Sequence, residues 1–346
     1  MIGTPLGGHK RGGFPVSTTM KTLVTGASGH LGANLVRALG RAGREVRALV
    51  RPTSDRRGLE GERVEVVLGD VLDRRDVERA VAGCARVFHA AAVYSVDDRE
   101  REQIVATAVE GTRNVLEAAA RAGVDRVVYT SSVATLGSSR EPEPRDETAP
   151  APRGGSAYVE AKVRAEEVAR ELAGEVPVVI VNPSVILGPW DFKPTPSTRL
   201  VARLLSSGGS PIHFRGGVNV VDARDAAEGH LLAESRGVPG ERYILGGANV
   251  TFRQLLEEVA GLAGLRRPWL PVGRGMLLAA GSLAAVVARL RGSAPAASPA
   301  RLRGLVGRFS WFTSEKAARE LRWSARSFDQ TIRDTVRWCL EGRSQS

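Results

Sequence analysis

Cysteine, lysine and long hydrophobic runs are scarce in this chain. Two cysteines among 346 residues, Cys84 and Cys339, exclude a disulfide framework, and no Cys or His spacing suggests a metal site. A reducing, cytoplasmic setting is expected, with no metal. The longest uncharged run, Met276 to Ala288, lies between Arg274 and Arg289. It falls short of the roughly 20 apolar residues that a transmembrane helix needs. No transmembrane segment is therefore expected, and the run reads as a buried or pocket-covering helix. Residues 1–19 are rich in Gly, Pro, Ser and Thr, and no apolar run follows Lys10 and Arg11. They give no sign of a signal peptide and read as a disordered extension. Lysine occurs only at 10, 21, 162, 193 and 316, so arginine carries most of the net charge of +11. The arginines are interspersed with acids, as in Arg74, Arg75, Asp76, Glu78 and Arg79. A nucleic-acid binder would gather them on one face, so no nucleic-acid partner is expected.

What is present is a regular alternation. Short apolar, β-branched runs stand at Thr22–Thr25, Val46–Val50, Val64–Leu68, Arg86–His89, Arg126–Thr130 and Val178–Val181. Between them lie amphipathic helical patterns at Leu31–Ala42, Arg75–Ala82, Val105–Ala122 and Val159–Leu172. Gly43, Gly83, Gly123 and Gly174 follow them, where a left-handed C-terminal cap is wanted. Continuous apolar strands alternating with helices predict an α/β fold, a doubly wound parallel sheet covered on both faces. After about residue 188 the pattern changes. Pro189, Pro194 and Pro196 break the chain, and short strands then mix with helices near 199–205, 252–263 and 328–339.

Residues Thr25–Gly32 read T-G-A-S-G-H-L-G, directly after the first strand and opening the first helix. Glycine lets the backbone turn tightly against a pyrophosphate, and a helix N-terminus offers it free N–H groups and partial positive charge. Gly26, Ser28, Gly29, His30, Leu31 and Gly32 are therefore candidate dinucleotide contacts, and the parallel sheet becomes a Rossmann domain over 20–188. Residues 189–346 would supply a smaller substrate-binding region, with some segments, about 215–250, returning to the Rossmann core. The second strand ends in Leu49-Val50-Arg51, followed by Arg56 and Arg57, with no carboxylate to hold ribose hydroxyls. An arginine there can pair with a 2′-phosphate, so NADP(H) is favoured over NAD(H). Asp70 and Val71, at the end of the third strand, are placed to flank the adenine.

Tyr158 and Lys162 are spaced i and i+4, on one face of a helix. An ammonium beside a phenol lowers its pKa and makes it a usable general acid or base. Upstream, the strand Val127–Thr130 runs into Ser131 and Ser132 at its carboxyl end, where doubly wound sheets place their chemistry. A serine there can hold a substrate oxygen beside the tyrosine.

Taken in this order, the motifs resemble the extended short-chain dehydrogenase/reductase family. The likeness is greatest to its dihydroflavonol-4-reductase-like and hopanoid-associated sugar epimerase-like branch. It runs from about Lys21 to Trp338 and includes V-F-H-A-A-A at 87–92, E-G-T-R-N-V-L-E-A-A at 110–119, V-V-Y-T-S-S-V-A-T-L-G at 127–137, N-P-S at 182–184 and E-R-Y-I-L-G-G at 241–247. The resemblance implies Ser132 as the catalytic serine, with Ser131 a near alternative, Tyr158 as proton donor or acceptor, and Lys162 on the nicotinamide ribose. It implies that Ala90, Ala91 and Ala92 line the cofactor with Thr130, that Pro183 and Ser184 sit by the nicotinamide, and that the chain forms a homodimer through the helices around 105–120 and 158–172. Ala108 stands where many members carry Asn, and Ser131-Ser132-Val133 replaces the Thr-Asp-Glu of sugar dehydratases. Those departures favour a ketone/alcohol reductase acting on a small molecule. The alternatives are an epimerase on a nucleotide-linked or lipid-linked sugar that keeps NAD(H) bound, and a non-enzymatic redox-sensing protein. The substrate is expected at Ser132, Val133, Trp190 and Phe192, and Phe214, Met276, Leu277 and Trp311 would make it bulky and apolar. The histidines, and Asp222 with Asp225, read as structural.

Overall fold

A computed structural model describes residues 21–91, 101–290 and 305–343. Its larger sheet contains β1 (Lys21–Thr25), β2 (Val46–Val50), β3 (Val64–Leu68), β4 (Cys84–His89), β5 (Arg126–Thr130), β6 (Val178–Pro183) and β10 (Arg242–Leu245). All seven are parallel, in the order β10-β6-β5-β4-β1-β2-β3. The order reverses between β1 and β4. This is the Rossmann arrangement, and its ligand crevice opens at that switch point, beyond the carboxyl ends of the strands.

The apolar strands work because consecutive side chains feed opposite layers. Val127, Tyr129, Val178 and Ile180 enter one core cluster, while Val128, Val179 and Val181 enter the other. The first layer is closed by α2 (Arg74–Val81), α3 (Arg101–Arg121) and α4 (Ala157–Glu171). The second is closed by α1 (His30–Arg41) and α6 (Ala223–Arg236). β3 departs from the expectation of full cover. As the edge strand it leaves Val66 and Leu68 exposed.

The chain leaves the large sheet after Pro183. β7 (Val185–Leu187) pairs instead with β9 (Gly217–Asp222), in a second sheet with β11 (Ala248–Thr251) and β13 (Phe309–Ser310). α5 (Pro196–Ser206), α7 (Phe252–Leu262) and the C-terminal helix Phe328–Arg343 pack around it. Of the segment expected to return, α6 and β10 join the Rossmann layers, whereas β9 stays in the smaller sheet. Asp222 caps α6 through the Arg224 backbone N–H and pairs with the Arg224 guanidinium, and Asp225 pairs with Arg326. The first is a local cap, and the second ties α6 to the segment before the C-terminal helix. A minor pair, β8 (Ile212–His213) with β12 (Leu270–Pro271), leads into α8 (Arg274–Leu290). No helix among the described residues is long and apolar enough to cross a membrane.

Candidate functional site

The glycine turn joins β1 to α1 under tight constraint. Gly26 sits at φ +70°, and a Cβ on it would lie 2.6 Å from the Ala91 nitrogen and 2.7 Å from the Ala90 carbonyl. A Cβ on Gly32 would fall 2.0 Å from the Gly26 oxygen, so the helix can approach the turn only without one. α1 begins at Gly29 with no side-chain cap, which leaves its first N–H groups for an anion. We expect Gly32→Ala to push α1 off the turn, costing about 1–3 kcal/mol as overpacked sites do. Urea unfolding would read the loss, and an unchanged midpoint would mean that the turn relaxes freely.

The His30 side chain turns away from this opening. It is buried, its Nε2 lies 3.0 Å from the Pro189 oxygen, and Nδ1 is 3.6 Å from Asp191 Oδ2. Burial holds its pKa below the ordinary value against the pull of Asp191. Any contact with a dinucleotide would come from its backbone. Asn34 also donates to the Pro189 oxygen, and Asp191 accepts from the Thr195 N–H and hydroxyl at 2.7 Å each. This buried clasp fixes the 188–195 loop to the glycine turn, and nothing in the Pro-rich sequence announced it. It also holds Trp190 at φ +65°, a conformation bulky residues rarely adopt.

The clasp sets where two expected substrate residues sit. The Arg37 guanidinium lies 4.9 Å from the Trp190 ring centre. Phe192 meets Trp338 edge-on at 5.0 Å, with Arg57 at 5.7 Å over its ring. Trp190 thus packs beside α1, and Phe192 lies between Arg57 and the C-terminal helix. Phe214 stacks on Phe252, and the Trp311 indole donates to the Val250 oxygen, so both serve the smaller sheet. Val133 is buried in a satellite cluster with Leu136, Ala149, Ile244 and Phe312. Met276, expected in a pocket or core, stands exposed on α8.

At the end of β5 the two serines divide. Ser131 Oγ donates to Glu166 Oε2 at 2.5 Å. Ser132 Oγ accepts the Ala134 N–H at 3.2 Å, and its proton has no acceptor among the described residues. Glu166, one turn beyond Lys162 on α4, also accepts from Thr135 at 3.0 Å and Asn182 at 2.9 Å and pairs with Arg242 and Arg170. Burial alone would raise its carboxyl pKa. The hydrogen bonds from Ser131 and Asn182, the Arg242 charge and the Thr135 hydroxyl together hold it below the usual carboxylate range. The composition gave no hint of this acid, although its spacing continues the Tyr158–Lys162 stripe.

Lys162 is only 7% exposed, and its Nζ donates to the Thr130 oxygen at 2.9 Å. Burial lowers its pKa to about 8, with the Glu166 charge acting the other way. Tyr158 is half-buried one helical turn earlier on α4. Thr130 also pairs with His230, whose pKa burial lowers to about 4, and His89 is lowered to about 3 by burial and by the Lys162 charge. Both imidazoles are therefore neutral packing groups at neutral pH. Pro183 and Ser184 are buried at the end of β6, and the Ser184 hydroxyl has no hydrogen-bond partner among the described residues. Arg51 is exposed beyond β2 with no ion pair among the described residues, whereas Arg57 is bound to Asp55. Asp70 and Val71 are half-buried beyond β3, and Val71 abuts Gly111 of α3. Ala90 and Ala91 face Gly26, and Ala92 lies outside the described residues.

The model of the NAD dependent epimerase/dehydratase family matches residues 22–246. The chain belongs to that family. Over 328 residues it is 38% identical to a protein of Synechocystis sp. named dihydroflavonol 4-reductase, covering 91% of this chain and 93% of that one. It is 33% identical over 331 residues to the 4-hydroxy-2-methyl-3-oxo-4-farnesyl-3,4-dihydroquinoline-1-oxide ketoreductase of Stigmatella aurantiaca, covering 92% and 96%. Among solved structures, the crystal structure of gox2253 superposes with a TM-score of 0.82 at 35% identity, over 94% of this chain and 99% of that chain. This family member is thus an NAD(P)-dependent oxidoreductase of the extended short-chain type.

Proposed function

We propose that the chain is an NADP(H)-dependent ketone/alcohol reductase in which Tyr158 is the general acid/base, Ser132 holds the substrate oxygen and Lys162 tunes Tyr158. The observation that carries this reading is the division of labour at the end of β5. Glu166 takes up Ser131 and leaves the Ser132 proton available, while Lys162 is buried one turn from Tyr158.

The residues fit a dinucleotide. The cradle at Gly26 and Gly32 would be filled by any side chain, the α1 N-terminus is uncapped, and the buried Ser184 hydroxyl lacks a partner among the described residues. The glycine turn would take the pyrophosphate, Asp70 and Val71 the adenine, Lys162 the nicotinamide ribose, and Ala90, Ala91, Thr130, Pro183 and Ser184 the nicotinamide half. Arg51 would meet the 2′-phosphate. When bound, the nicotinamide gives hydride to the carbonyl carbon or takes it from the alcohol. In reduction Tyr158 donates its phenolic proton to the substrate oxygen, and Ser132 donates a hydrogen bond to that oxygen. The Lys162 ammonium stabilises the phenolate left behind. A bulky, apolar ketone suits the reading, because the Stigmatella relative's substrate carries a farnesyl group.

Titration of the apo protein with NADPH and NADH tests it. We expect NADPH preference, lost in Arg51→Glu by about ten- to a hundredfold, the worth of one charge-assisted pair. Stoichiometric NAD carried through purification, with no preference for the phosphate, would overturn the reductase reading in favour of epimerisation.

A further inference from the structure

The charge of this chain is less even than its arginine-rich segments suggest. From Val259 to Ser314 there is no Asp or Glu, and there are eight arginines. Within the described part of that stretch several large apolar side chains are exposed. Leu262, Trp269, Leu270 and Met276 are four of the ten large hydrophobic residues exposed among the described residues. Trp269 is 71% exposed and Met276 70%. Single exposed apolar residues need no explanation, but a tryptophan and three aliphatic side chains within fifteen positions do.

Neither aromatic nor helix is loosely hung. The Trp269 and Leu270 N–H groups both donate to the Pro211 oxygen, at 3.0 and 2.9 Å, and Leu270–Pro271 pairs with Ile212–His213. This short pair presents the indole outward. Three residues later α8 begins. A surface helix normally shows polar groups to water. In α8 as far as Ser282 the exposed positions are Arg274, Gly275, Met276, Ala279, Ala280 and Ser282, of which Met276, Ala279 and Ala280 are spaced i, i+3, i+4, while Leu277 and Leu278 are half-buried and Gly281 is buried. Met276, Ala279 and Ala280 thus form an exposed apolar stripe along this part of the helix. Around it stand exposed Arg266, Arg267 and Arg274. Arg266 and Arg274 have no carboxylate partner among the described residues, and Arg267 shares the field of Glu258 on α7.

We propose that this face, from Leu262 to Ser282, docks the protein on the surface of an anionic phospholipid bilayer. Trp269 and Met276 would enter the boundary between headgroups and acyl chains, and the arginines would lie against lipid phosphates. An indole prefers that boundary because its ring is apolar and its N–H wants a polar partner. An apolar face that stays in the interface, flanked by cations of which Arg266 and Arg274 have no carboxylate partner among the described residues, has the composition of a peripheral anchor. A nucleic acid would use the arginines but leave Trp269, Leu270 and Met276 in water, which makes the lipid surface the better match. The inference is independent of the reductase reading, since it uses no residue of the proposed chemistry and is measured without turnover.

The test is co-sedimentation of the full chain with vesicles of phosphatidylcholine, with and without phosphatidylglycerol. We expect binding to the anionic vesicles and little to the neutral ones. Trp269→Ser with Met276→Ser should lower that binding about tenfold or more, and Arg266→Gln with Arg274→Gln should erase the preference for anionic lipid. All four side chains are exposed, so thermal unfolding should be unchanged, and a shifted midpoint would disqualify that variant. Brominated lipid then gives a second reading on wild-type protein: it should quench a part of the fluorescence that Trp269→Phe lacks. Three results would overturn the proposal. The wild type could stay in the supernatant. The Trp269 and Met276 changes could convert a dimer to monomers without affecting vesicle binding, which would make the face an interface between copies. The arginine changes could abolish binding to a duplex oligonucleotide and leave vesicle binding intact, which would assign the face to nucleic acid.

Discussion

Tyr158→Phe is expected to lower kcat for ketone reduction by about 10²–10⁴-fold, the usual worth of a positioned general acid, with NADPH binding little changed. The reason is local to α4. Phenylalanine keeps the ring and the helix but has no proton to give, and Lys162 stays anchored to the Thr130 oxygen. The same geometry sets a pH dependence. Lys162 has a pKa lowered to about 8, chiefly by burial, so the free enzyme loses the ammonium as pH rises through that value. Without the cation the phenolate of the transition state is less stabilised, and kcat/KM should fall above about pH 8. Lys162→Arg keeps a charge that does not titrate in this range, so the alkaline limb should move upward even as the plateau drops. Stopped-flow or steady-state rates across pH would check both. A Tyr158→Phe variant within fivefold of wild type would remove Tyr158 from the chemistry.

The elements of the Rossmann sheet were legible because burial on both faces leaves its mark on every residue. β5 and β6 are almost unbroken apolar runs, and each of the six expected strands falls within two residues of its bounds, whereas β10, short and far along the chain, is not marked out as a strand. The glycine turn was legible for the same reason: Gly26 and Gly32 stand where a Cβ would strike backbone. What sequence could not show was which polar groups meet across long separations. Glu166 sits in an ordinary Glu- and Arg-rich helix, and its partners Ser131, Asn182 and Arg242 come from three other segments. For Asp191, the ties to His30 and Thr195 span β1–α1 and the start of α5. Trp190 and Phe192 read as substrate wall from sequence, while the neighbours that hold their rings, Arg37, Arg57 and Trp338, come from distant segments and could not be read there. Similarly, an uncharged run such as Met276–Ala288 reads as core by default, and only its orientation on the surface distinguishes an exposed stripe from a buried one.

Glu166→Ala should be among the most damaging substitutions away from the substrate. Glu166 is 4% exposed and gathers Ser131, Thr135, Asn182 and Arg242 from three other segments, with Arg170 of its own helix. Removing one partner of a buried ion pair typically costs about 3–5 kcal/mol, because the remaining charge and donors are left desolvated and unpaired. Glu166→Gln should cost less, since an amide oxygen can still accept from Ser131 or Asn182. The two variants also separate charge from packing through pH. The folded carboxyl titrates below the ordinary range. Its contribution is therefore fully present above the unfolded value of about 4.3 and is lost as pH falls through the folded one. Wild-type stability in urea should decline in that acidic window, and Glu166→Gln should lack this part of the decline. A second reading comes from Lys162, whose ammonium the Glu166 charge favours. With Gln at 166 the alkaline limb of kcat/KM should move to lower pH, which a loss of packing alone would not produce. If Glu166→Ala unfolds at the wild-type urea concentration and Glu166→Gln leaves the limb in place, the carboxylate neither holds the end of β5 together nor tunes the lysine, and the choice of Ser132 over Ser131 loses its structural basis.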